Sequence, residues 1–214
     1  MPTAASTPAS AFSPADVSLD TLATLVDPHD QDALFARLRA TGELLRARYR
    51  TAVAGAGAER MARVPANGGW SALQVLEHLV VAHDDYARVV APVVAQPVPM
   101  TAAAQGATHR WKPSLLGRII ATSLVSTRAL PAPKSWRVAA MTPRADVAAA
   151  FDGRLADLGD WMEASRLRDW RHTRTHSPIS PLLRLNLGDV FVLLTVHAGR
   201  HLGQLERAIA QGVA

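Results

Sequence analysis

The sequence predicts an all-α domain: a four-helix bundle with a long crossover between its second and third long helices. Three observations point there. Apolar residues recur at three- and four-residue spacing in four separate stretches, with little strand-like alternation. Residues that start or stop helices bound these stretches. The connection between the second and third stretches is much longer than the others, which suits a crossover better than a run of hairpins. Composition agrees, with 49% hydrophobic and 19% charged residues over a length of 214 that can fill one core.

Residues 1–18 are rich in Pro, Ala, Ser and Thr and read as a mobile tail. A single domain is expected over 19–214. The start of the chain lacks the basic and apolar regions of a signal peptide. No uninterrupted apolar run of about 18 residues is present. A cytoplasmic protein without a membrane span is therefore expected.

The first long helix is predicted over 30–54, with Leu34, Leu38, Thr41, Leu45 and Tyr49 on one stripe. Asp27-Pro28 and Asp30 start it, and Gly55 and Gly57 stop it. The second starts at Ser71, a natural N-cap, and runs to about Val90, with Pro92 as its stop. Residues 96–136 form the crossover, with one short helix over 114–126 turning Leu115, Ile119 and Leu124 inward. The third long helix begins at Thr142-Pro143 and ends near Ser165. Val147, Phe151, Leu155, Leu158 and Met162 form its inner stripe. The fourth, capped by Asn186, covers 187–209.

The absence of cysteine excludes disulfides, thiolate metal sites and a cysteine nucleophile. Net charge is +5, carried almost wholly by arginine. Most of these arginines are interspersed with acids and read as a solvated surface. The cluster from Arg166 to Arg174 is the exception, and nucleic-acid binding is a minor reading of it.

The chemistry concentrates in the fourth helix. Leu187, Val190, Leu194, His197, His201, Gln204 and Ala208 share one stripe, so two imidazoles at i and i+4 point the same way. One divalent ion needs a third ligand from elsewhere. The second helix carries His78 and His83, five residues apart and on different stripes; spacing does not decide between them. Asp85, two turns below His78, either supports the site from behind a ligand or is simply exposed, and the exposed reading is favoured. Gln204 is placed to orient a ligand or bind water, or is simply a half-buried polar residue; Arg200 is an exposed helix arginine with no specific role or, if it reaches the pocket mouth, a partner for the carboxylate of a thiol cofactor. A second His-x-x-x-His, His172 and His176, falls in an arginine-rich loop, where the spacing loses its meaning and the charge disfavours a cation. Gly199 and Gly203 leave a face of the fourth helix that can pack closely, on another helix or on a second subunit.

Trp70-Ser71, His78, Ser177-Pro178, Asn186-Leu-Gly-Asp189 and His197-Ala-Gly-Arg200-His201-Leu-Gly-Gln204 together resemble the DinB-like superfamily of bacterial four-helix-bundle metalloproteins. The resemblance implies one divalent ion, zinc or nickel, held by His78, His197 and His201, and so selects His78 over His83. It also implies a possible homodimer and, for some members, transfer of a low-molecular-weight thiol to a small molecule. Other members have no known activity, so a non-catalytic metal-binding stress-response bundle is the alternative expectation.

Overall fold

A computed structural model describes residues 17–66, 68–98, 109–126, 128, 131–138 and 142–211. Six helices are present among them: α1 (Leu19–Ala23), α2 (Gln31–Ala62), α3 (Ala72–Val94), α4 (Leu115–Val125), α5 (Val147–Ala164) and α6 (Leu187–Gln211). Two small antiparallel pairs accompany them. Strands β1 (His29–Asp30) and β2 (Arg110–Trp111) form one, and β3 (Arg174–Ser177) and β4 (Ser180–Asn186) form the other.

The four long helices make the bundle. α3 packs chiefly on α5 and α6, and α2 on α6 and α5. The chain neighbours α2 and α3 touch less, as do α5 and α6, so each pair stands across the bundle. The expected stripe of α2 is buried throughout, from Leu34 through Thr41 to Tyr49, and so is that of α5 from Val147 to Met162. α6 is buried on every side from Leu187 to Gly199, because α2, α3 and α4 all pack on it.

Local chemistry fixes the ends. Ser71 caps α3 in a capping box: its hydroxyl accepts from the Gln74 N–H, and the Gln74 side chain accepts from the Ser71 N–H. Asn186 Oδ1 accepts from the Asp189 N–H at 2.7 Å and starts α6 as expected. It also accepts from Trp111 Nε1 at 2.9 Å. The Trp111 ring lies so close to Gly188 that a Cβ there would sit 2.2 Å from the indole nitrogen.

Several expectations are corrected. Gly55 and Gly57 do not end α2; Gly57 takes φ 70° and kinks it, and the helix continues to Ala62. Pro92 lies inside α3, which runs two residues beyond it. α5 begins at Val147, not at Thr142, because Arg144 is pinned to buried Glu77 by its backbone N–H (3.0 Å) and its guanidinium (2.9 Å). The fully buried residues of α4 are Gly117 and Ala121; Leu124 packs half-buried on the core as expected, while Leu115 and Ile119 are 80% and 55% exposed. Small residues face inward because α4 lies close on α6: a Cβ on Gly117 would meet the Asp189 carboxylate at 2.3 Å. The β3–β4 hairpin and α1 were not anticipated. The tail over 1–18 lies outside the described residues except for Val17, which is buried, and Ser18, which caps α1.

Candidate metal centre

His78 sits in the second turn of α3, while His197 and His201 lie a turn apart on α6. The packing of α3 on α6 turns the three imidazoles toward one point. One ligand nitrogen from each lies within 4.8 Å of the others, and no other group of three His or acidic residues meets that test among the described residues. The Nε2 atoms of His78 and His197 are 3.1 Å apart. Two nitrogens bound to a tetrahedral zinc at about 2.0–2.1 Å stand roughly 3.3 Å apart, so the spacing fits a shared ion.

Hydrogen bonds fix two of the rings. His78 Nδ1–H donates to the Trp136 carbonyl at 2.8 Å. His201 Nδ1–H donates to Gln204 Oε1 at 2.7 Å. With the Nδ1 proton held in each, the Nε2 lone pair is left for a ligand bond. Gln204 thus orients His201, a role its position one turn further along α6 allows.

All three rings resist protonation. Burial lowers the His78 pKa, against the opposing pull of the Trp136 carbonyl. Burial and then the neighbouring His201 and His78 hold His197 well below its ordinary value. Burial, followed by His78, brings His201 down to about 3. At neutral pH the cluster is therefore three neutral imidazoles, the form that binds metals.

A cavity of about 910 Å³ opens from the cluster. Trp70 lies 4.9 Å, centroid to centroid, from His78 and stacks on His201 at 6.4 Å. Trp136 closes the other side, 6.3 Å from His78 and 6.2 Å from His197. Leu193, Leu194, Ile120 and Leu124 add aliphatic wall. These aromatic and aliphatic walls limit water around the imidazoles.

The crossover reaches the site and is latched at two places. Trp136 Nε1 donates to Asp85 Oδ2 at 2.8 Å, holding in place the residue whose carbonyl orients His78. Asp85 is therefore neither free nor fully exposed, contrary to the expectation, because the indole and Arg88 both bind it. Arg200 lines the cavity and donates to the carbonyls of Leu124 (2.9 Å), Ser126 and Arg128, fastening the end of α4 to α6. Sequence reasoning missed Trp136. The available signal was a tryptophan in a Pro- and Ala-rich connection, since a buried indole needs a partner for its N–H.

The other histidines stand apart. His83 is fully buried against Phe151, and neither ring nitrogen has a hydrogen-bond partner among the described residues. His172 bonds Asp169 at 2.7 Å on the surface, and His176 is exposed on β3. Gly199 packs against Leu22 of α1, where a Cβ would meet Leu22 at 2.4 Å; Gly203 meets only the end of Arg207. In the basic cluster, Arg166 lies over the Phe35 ring at 4.9 Å and Arg168 donates to the Gln96 carbonyl.

No curated protein and no solved structure matches the chain. The family model of the DinB superfamily matches residues 41–205, a span that includes α3 and α5, most of α2 and α6, and the three clustered histidines. With its helical bundle and its histidine cluster between α3 and α6, the chain belongs to the DinB superfamily.

Proposed function

We propose that His78, His197 and His201 hold one divalent metal ion, zinc or nickel, and that the site acts on a small molecule bound in the adjoining cavity. The observation that carries this is the convergence of three neutral, buried imidazole nitrogens within 4.8 Å in the lining of that cavity. Such an all-imidazole set suits zinc or nickel, and three ligands leave at least one position open. When bound, the ion supplies Lewis acidity and favours the ionised form of a thiol or water.

The protein's own residues do the rest. Trp136 and Gln204 orient their imidazoles, and Trp70 and Trp136 restrict water. The favoured reaction is transfer of a low-molecular-weight thiol to an electrophilic small molecule, with hydrolysis as its nearest relative. A cytoplasmic setting, where such thiols are kept reduced, suits the reading. No helix among the described residues is long and apolar enough to cross a membrane. A homodimer would need a face other than Gly199, which Leu22 already covers. The test is conjugation of glutathione, mycothiol or bacillithiol to monochlorobimane by protein reconstituted with zinc or nickel. Turnover that needs the metal and is lost in His197→Ala is expected. Metal binding without turnover toward any thiol or ester would leave a non-catalytic metal-binding bundle.

A further inference from the structure

The cavity has a one-sided charge. Arg137, Arg200 and Arg207 all line it, and no Asp or Glu does so among the described residues. Among the side chains of the residues not described, only that of Asp16 is acidic. Arg200 is occupied by three carbonyls, yet its charge remains.

Arg207 and Arg137 are different. Both are exposed, and neither is ion-paired among the described residues. Arg137 uses only its Nε–H, on the Ala132 carbonyl at 3.1 Å. Arg207 has no hydrogen-bond partner there, leaving its planar fork of donors free. Some arginines elsewhere are ion-paired: Arg46 and Arg50 share Asp152, Arg144 takes Glu77, and Arg154 takes Asp84. Unpaired guanidiniums at the edge of an apolar pocket concentrate positive potential inside it. The walls between them and the histidines are aromatic and aliphatic: Trp70, Trp136, Ile120 and Leu124.

We infer that the cavity binds an amphipathic anion: a molecule with an apolar or aromatic body against Trp70 and Trp136 and a carboxylate or phosphate at Arg207 and Arg137. The volume of about 910 Å³ falls within the roughly 300–1,000 Å³ of small-ligand pockets. The inference rests on the proposed small-molecule pocket but not on the metal. Guanidinium pairs with carboxylate or phosphate by two parallel hydrogen bonds, so a neutral isostere of the same shape loses both charge and fork.

The experiment uses metal-stripped protein, so that a carboxylate cannot gain affinity from an ion. Titration calorimetry at low salt compares 4-phenylbutyrate with 4-phenylbutanamide. The carboxylate is expected to bind at least tenfold more tightly, with the advantage shrinking as salt rises. Arg207→Gln, which breaks no hydrogen bond or ion pair among the described residues, should cut the preference several-fold. Arg137→Gln together with Arg207→Gln should remove it, while amide affinity and the melting temperature stay unchanged. Equal binding of the two probes, binding of neither, or a preference that survives the double substitution would overturn the inference. Metal content, measured separately, keeps the two readings apart. A protein that retains no metal but prefers the carboxylate loses only the metal centre, and the reverse result loses only the anion site.

Discussion

Two His-x-x-x-His pairs are spelled alike in this chain and end in opposite surroundings. His197 and His201 lie on α6, the most deeply buried helix, and face a third imidazole from α3. His172 and His176 lie at the start of the β3–β4 hairpin, where His172 bonds Asp169 and His176 is exposed. The spacing becomes a ligand pair only where a helix puts both rings on one face. It also needs burial to keep the rings neutral and acceptors to fix the Nδ1 protons. The first pair has a helix, burial and, at His201, Gln204 as that acceptor, while the second has a hydrogen bond from His172 to the Asp169 carboxylate at the surface.

The largest effect that sharpens this contrast is acid lability. The folded pKa values of His78, His83, His197 and His201 are all lowered, with His83 brought to about 4 and His201 to about 3, chiefly by burial. Unfolded imidazoles titrate near 6.5, so below that pH the unfolded chain takes up protons that the folded chain refuses. Stability is thus fully present above about pH 6.5 and is lost as pH falls toward 4 and then 3. His83 alone accounts for about 3 kcal/mol of that loss. Urea unfolding of metal-free protein between pH 8 and 4 measures it; a flat profile would contradict the buried, neutral cluster.

Next in size is the support of the cluster. Asp85→Ala and Trp136→Phe each remove the same indole bond, and Gln204→Ala removes the acceptor of His201. Each should weaken metal affinity about tenfold, measured by competition with a chromophoric chelator. Asp85→Asn, which keeps an acceptor for the indole, should restore most of it. If Asp85→Ala and Trp136→Phe add in the double variant, they do not act through one bond.

Smaller still, His83→Leu should raise stability by about 1 kcal/mol, because two unpartnered ring nitrogens leave the core. Metal affinity should not change. The smallest effect belongs to the second pair. His172→Ala with His176→Ala should leave metal content unchanged and stability within about 0.5 kcal/mol.

The bundle was legible because its signals are local. The stripes from Leu34 to Tyr49 and from Val147 to Met162 need only helical periodicity, and Ser71 with Gln74 needs only three-residue spacing. The pair on α6 was legible for the same reason, while His78 needed the family pattern to separate it from His83. What stayed hidden depends on distant partners. Trp136 is 58 residues from the His78 ring that its carbonyl orients. Gly117 faces inward because of Asp189, and Arg144 delays α5 because of Glu77. Five-residue α1 is too short for its periodicity to register, and two prolines and two serines obscured the alternation of the hairpin.

Metal stoichiometry by elemental analysis, after reconstitution with zinc or nickel and desalting, tests the central claim most directly. Wild type and the His172→Ala/His176→Ala variant should each retain close to one ion per chain, and His78→Ala, His197→Ala and His201→Ala should retain little, with helicity preserved by circular dichroism. Wild type without metal, or three single variants that hold it as wild type does, would make these histidines core residues and nothing more.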